Sequence, residues 1–202
     1  MALKFANNQS LTSTTALPSA VPTDNLILIS TQTASSSATI SFTTGIDSTY
    51  DEYIFKFINI HGSANSQLNF NGSSDGGSNY NVTKTSTSFR ATHLEDGSFT
   101  VLGYDTGRDL AQGTGFQPLL QTINNNNDDN ACGFITIFNP SSTTYVKHFI
   151  TNFNTVLDDP ASSQWFMAGY FNTTSAINAV RFQMSSGNID DGIIKMYGVK
   201  KS

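Results

Sequence analysis

The sequence predicts an all-β protein, an antiparallel β-sandwich or jelly roll preceded by an extended N-terminal arm. Three observations point there. Only 12% of the 202 residues are charged, against about 25% in an ordinary soluble protein. The deficit is filled by Ser, Thr and Asn, which bond to nearby backbone and suit turns and strand surfaces. Ten Lys plus Arg, with Glu52 and Glu95 the sole glutamates, leave few of the residues that normally clothe helices. Short apolar runs, many of them alternating, recur from residue 26 onward between Gly, Asn, Asp and Pro clusters.

Residues 1–25 read as the arm. Pro18 and Pro22 sit in Leu17-Pro-Ser-Ala-Val-Pro-Thr23, and each pushes its predecessor toward extended backbone. Leu3, Phe5, Leu11, Leu17 and Val21 are apolar anchors that a purely solvated tail does not need, and they are the expected assembly contacts. Residues 26–202 read as one sandwich domain, since no internal repeat or composition break divides them.

Within the domain, Leu26–Thr31 is a short apolar run and Ser37–Thr43 alternates Ala38, Ile40 and Phe42 with Ser and Thr. A turn at Gly45–Thr49 leads into the strongest strand, Tyr50–His61. It is expected to carry Tyr53, Phe55 and Phe57 on one face and Ile54, Ile58 and Ile60 on the other. An apolar residue on both faces predicts a central strand covered twice, once by the core and once by a loop, the arm or another subunit. Gln67–Asn71 is a further strand, closed by the loop Gly72–Ser78. Weaker strands are expected around Tyr80–Thr83, Thr87–Thr92 and Ser98–Gly103. Asp105–Gln112 reads as one or two helical turns stopped by Gly113 and Gly115, and Asn124–Asn130 as a surface loop. Strands then follow at Gly133–Phe138, Tyr145–Asn154, Gln164–Thr173, Asn178–Met184 and Ile193–Val199. Eight to ten short strands between turn signals is the pattern of a sandwich or jelly roll.

The chemistry-bearing residues form no motif. His61, His93 and His148 share no metal-ligand spacing, no Gly-x-Ser-x-Gly elbow supports a serine nucleophile, and no phosphate-binding glycine loop follows a strand. The doublets Asp128-Asp129, Asp158-Asp159 and Asp190-Asp191 fall in expected loops. A Ca²⁺-loop register begun at Asp128 fails, because it puts Cys132 at the fifth position and Asn139 where a bidentate Glu is needed. Cys132, the single cysteine, is expected to be a small buried residue, and Trp165 to pack in the core. The sequons at Asn8, Asn71, Asn81 and Asn172 are what chance gives in so Asn- and Ser/Thr-rich a chain. No catalytic, cofactor or metal residue is therefore assigned. A net charge of −5 without a basic patch argues against nucleic acid. The absence of a long apolar run argues against a membrane span. Met1-Ala-Leu-Lys-Phe5 lacks a basic start and an apolar stretch, so synthesis in a cytoplasm is expected.

The chain resembles small virion proteins of tailed bacteriophages, in particular phages of marine bacteria and cyanobacteria. The resemblance is carried by Leu17-Pro-Ser-Ala-Val-Pro-Thr23, Ser30-Thr-Gln-Thr-Ala-Ser-Ser36, Tyr50–His61 and the ending Ser186–Val199. It implies a non-enzymatic part of the virion and assigns no functional residue. The first expectation is a head-decoration (cement) protein. It is taken to be a homotrimer, packing through its arm and an apolar sheet face on sister subunits, the major capsid protein or tail proteins. The alternative is a tail-fibre or receptor-binding module that recognises host surface glycan through aromatics such as Tyr80 and Tyr104. A carbohydrate-active enzyme using Asp158 and Asp159 is the remote third.

Overall fold

A computed structural model describes residues 25–157 and 160–201. The arm with Leu3, Phe5, Leu11, Leu17 and Val21 lies outside those residues, as do Asp158 and Asp159. The described chain is all-β and contains no helix. Its strands are β1 (Leu26–Thr33), β2 (Ile40–Phe42), β3 (Glu52–Gly62), β4 (Leu68–Ser73), β5 (Lys84–Leu94) and β6 (Thr100–Tyr104). They continue as β7 (Gln117–Pro118), β8 (Ala131–Phe138), β9 (Lys147–Leu157), β10 (Ala161–Phe171), β11 (Ala179–Met184) and β12 (Ile189–Val199).

The strands form two antiparallel sheets, one of eight in the order β1-β12-β3-β8-β9-β10-β5-β6 and one of four in the order β2-β11-β4-β7. The sheets stack as a sandwich. Eight of the strands pair in a nested way: β1 with β12, β2 with β11, β3 with β8 and β4 with β7. A long hairpin rolled up on itself gives this order. The other four strands extend the large sheet beyond β8, as the hairpins β9–β10 and β5–β6.

The core lies between the small sheet and the β12-β3-β8-β9 part of the large one. Phe182 of β11 is its hub. Its ring lies 4.9 Å from Phe57, 5.4 Å from Phe55, 6.1 Å from Phe42 and 6.5 Å from Phe70, three of these edge-on. Such tilted contacts suit the ring quadrupoles and add to area burial. Trp165 is fully buried as expected.

The four-stranded sheet is too narrow to cover eight strands. Beyond β4, the inner side of β10 and β5 is roofed by the irregular stretch from 105 to 123. That stretch is tied down by backbone bonds: Leu119 N–H to Leu68 O, Ile123 and Ser66 to each other, and Lys84 and Gly113 to each other. It contains no helix; 105–112 is turn and bend, because its backbone groups are bonded sideways to β5. It also supplies β7, too short to be seen as a strand in sequence.

Several expectations are corrected in detail. Tyr80–Thr83 is not a strand. Ile60 points into the core, with no exposed surface, and not to the face of Ile54 and Ile58. A bulge between Phe57 and Ile60, with Asn59 at φ 50°, inverts the alternation there. Across from it β12 is bulged too, at Gly192 with φ 121°, where a Cβ would come within 2.7 Å of Asn59 O. Cys132 is exposed, not buried, because the alternation of β8 sends Ala131 inward instead. Asn124 and Asp129, expected on a surface loop, are buried.

Removing the hub ring leaves a cavity that the rigid sheets cannot close. Phe182→Ala is expected to lower the unfolding free energy by about 3–5 kcal/mol, read by urea denaturation of the otherwise native chain.

Candidate functional site

The first feature is the outer face of the eight-stranded sheet. Register places its side chains in rows of direct cross-strand neighbours. One row runs Leu28, Tyr197, Ile54, Thr136, Ile150, Ala168 and Thr87, from β1 to β5. The next runs Lys195, Lys56, Phe134, Asn152, Phe166, Phe89 and Tyr104, out to the edge strand β6. Leu28, Ile58, Phe89, Phe134, Phe138 and Ile150 are exposed by a third to a half. On β6, Leu102 is 75% exposed. Phe89 and Phe166 stack on one another at 5.0 Å, which shields part of their area from water. Scattered exposed apolar residues are ordinary, but several sharing one sheet face make it a candidate interaction surface. Lys56 and Lys195 are the two lysines of this face and directly oppose one another; Lys56 Nζ lies 5.5 Å from the Tyr197 ring.

A second feature is polar. The paired bulges of β3 and β12 turn Asn59, His61, Asp190 and Asp191 toward the 127–130 loop, lining a notch of about 480 Å³. Two of the three acidic doublets thus converge, Asp128-Asp129 with Asp190-Asp191. His61 Nε2 donates to Asn126 O at 3.1 Å, and the ring sits 3.9 Å from Asp190. Among the described residues no group of three His, Cys, Asp or Glu is placed to share a metal ion. Cys132 lies beside the notch, and its Sγ receives the Asn59 N–H at 3.3 Å. His93 and His148 are exposed and stand apart on β5 and β9.

A third feature is a set of buried cations on the inner side of the large sheet, which sequence reading missed. Lys84 is fully buried. Its Nζ donates to Asn71 Oδ1 at 2.7 Å and to Val82 O at 2.9 Å, and it lies 5.8 Å from the Phe171 ring. No carboxylate pairs with it among the described residues. Burial therefore pushes its amine down to about 7. A neutral amine has two N–H bonds, which match the two acceptors present. Lys147 is likewise buried, donates to Thr173 O at 3.0 Å, and is pushed down by the same cause. Asn71, one of the sequons, has no exposed surface and serves as a clamp, its Nδ2 donating to Tyr80 O. Of the two aromatics named for glycan contact, Tyr104 is 56% exposed on β6 and Tyr80 is not exposed. Tyr80 is buried with Arg181 stacked 4.0 Å from its ring, and the Tyr104 hydroxyl donates to Asp109 at 2.6 Å.

No family model, no curated protein and no solved structure matches the chain.

The buried amine has a measurable sign. Lys84 titrates at about 7 when folded and near 10.5 when free. The unfolded chain therefore holds more protons between these values, and stability rises with pH across that window. The unfolding free energy is expected to rise by about 2 kcal/mol from about pH 7 to about pH 9, and Lys84→Met to remove most of that rise. Denaturation at a series of pH values checks it.

Proposed function

We propose that the chain is a non-enzymatic structural subunit of a tailed-bacteriophage virion, a head-decoration protein whose outer sheet face is covered by sister copies. The observation that carries this reading is the aromatic-rich outer face of the eight-stranded sheet, whose charge sits near the β1 end on Glu52, Lys56 and Lys195. A sheet buries one face in its own sandwich. An apolar second face spanning so many strands gains stability only against another surface, at about 1.5–3 kcal/mol for each large side chain fully covered.

The occupant favoured is a second copy, with its arm as the strap. The described chain begins at Asn25, where β1 forms an edge of the same sheet. The 24 residues before it reach about 80 Å when fully extended. That is far enough to cross a neighbouring domain, and Leu3, Phe5, Leu11, Leu17 and Val21 give them apolar side chains to place there. The nested strand pairing supports reading the eight core strands as a jelly roll with two inserted hairpins. In that reading the hairpins widen the large sheet, and with it the face offered to neighbours.

Two experiments test this. The full chain is expected to sediment as a trimer, and Phe134→Asp with Phe166→Asp to sediment as a folded monomer. Full-length protein that stays monomeric at every concentration overturns the reading. Deleting residues 2–22 is expected to leave a folded domain that no longer joins the particle; normal incorporation of that truncate would count against the strap.

A further inference from the structure

Where the β5–β6 hairpin overhangs the segment 121–124, the sandwich stays open. A cavity of about 420 Å³ lies there, on the inner side of the hairpin and away from the outer face. Its size falls in the range that holds a small ligand. One wall is apolar, from Leu94, Val101 and Leu157, with Phe99 half-exposed at the rim. The polar part of the lining includes Arg90, Gln121 and Asn124.

Two independent observations say what that polar part lacks. The first is charge. Arg90 Nη1 donates to Gln121 Oε1 at 2.5 Å, and its guanidinium lies 5.6 Å from the Trp165 ring. Arg108 lies 5.2 Å from the same ring and is paired with Asp105 at 3.0 Å. Arg90 has no ion-pair partner among the described residues. A guanidinium cannot shed its proton, and it has five N–H donors in a fork suited to a carboxylate. The second is an orphan donor. Asn124 is 1% exposed, and its Nδ2 has no hydrogen-bond partner. Leaving a buried donor unmet is costly, so an acceptor brought within its reach is favoured.

We propose that this cavity binds an acidic sugar, with the carboxylate on Arg90 and a ring hydroxyl or ring oxygen on Asn124. The apolar wall and Phe99 receive the C–H face of the ring. The ligand class is a hexuronate. This inference does not depend on the packing of the outer face, since none of the cavity residues named here belongs to the rows described there.

Calorimetric titration of the full chain with D-glucuronate and D-galacturonate tests it, with methyl glucoside and acetate as controls. At least one uronate is expected to bind with a Kd of about 1–10 mM, a weak affinity suited to a single sugar. Methyl glucoside and acetate are expected to bind at least about tenfold more weakly, since each lacks one half of the contact set. Arg90→Gln is expected to weaken the uronate by about tenfold or more while the unfolding midpoint stays near that of the parent chain. If Arg90→Gln does not fold, Phe99→Ser at the exposed rim is the second variant, with a loss of about threefold to tenfold expected. Acetate binding as tightly as the uronates overturns the sugar assignment. Methyl glucoside doing so overturns the carboxylate. No uronate binding by about 50 mM, or binding unchanged in whichever variant folds, overturns the site itself.

Discussion

Four strands cannot cover eight, and most of what is unusual in this molecule descends from that mismatch. The aromatic core around Phe182 fills the space where two sheets face each other. Beyond β4 there is no second sheet, and an irregular chain takes its place. An irregular chain carries backbone groups that no ladder satisfies, so the side chains beneath it must be polar. That is why β5 turns Lys84, Ser86, Ser88 and Thr92 inward, all buried. Ser86 Oγ receives the Leu110 N–H and donates to Gln117 Oε1, and Gln117 in turn donates to Arg108 O. The interior is thus split into an oily half under the small sheet and a hydrogen-bonded half under the 105–123 segment.

The oily half was legible in the sequence and the bonded half was not. Strands β3, β8 and β11 announce themselves because Tyr53, Phe55, Phe57, Ile135, Ile137, Val180 and Phe182 repeat with period two. In β5 the string Lys-Thr-Ser-Thr-Ser-Phe-Arg-Ala-Thr-His has its sole large apolar residue, Phe89, on the outer face. Alternation therefore points the wrong way there, and nothing local says that a lysine is the core residue. The Ile60 error has a different origin. A bulge costs one residue of register, and sequence offered only Asn59, a residue that tolerates the left-handed region, as a hint. The acidic doublets could be seen but not their convergence, which depends on two bulges on neighbouring strands. The Arg90 cavity left no sequence signal, because its walls come from β5, β6, β9, β10 and a loop.

The same mismatch shapes the outside. Widening one sheet without widening the other adds outer face as fast as inner face, and the added strands β9, β10, β5 and β6 carry Ile150, Phe166, Phe89 and Leu102 outward. Charge on such a surface keeps sheets apart. Among the described strands the charge on this face lies on Lys56, Lys195 and Glu52, all near the β1 end, each raising the cost of a flat apolar contact there. The central rows from β8 to β6 carry no such brake.

The buried cations show how differently lysine and arginine answer one problem. Burying a charge without a counter-ion is costly, and a group escapes by losing the proton or by finding a partner. Lys84 takes the first route. Its amine can be neutral near neutral pH, two acceptors match its two remaining N–H bonds, and the site is closed with no exposed surface. Arg90 is denied that route, because guanidinium keeps its charge at any pH the fold survives. It is half-buried, stacked toward Trp165 and bonded to one amide oxygen, and among the described residues no carboxylate pairs with it. The fold accordingly seals the lysine and leaves the arginine beside an opening. A sealed cation is a structural expedient for roofing β5. A permanently charged one in the lining of a cavity, with an orphan amide in the same lining, is where the proposed anion would find its partner.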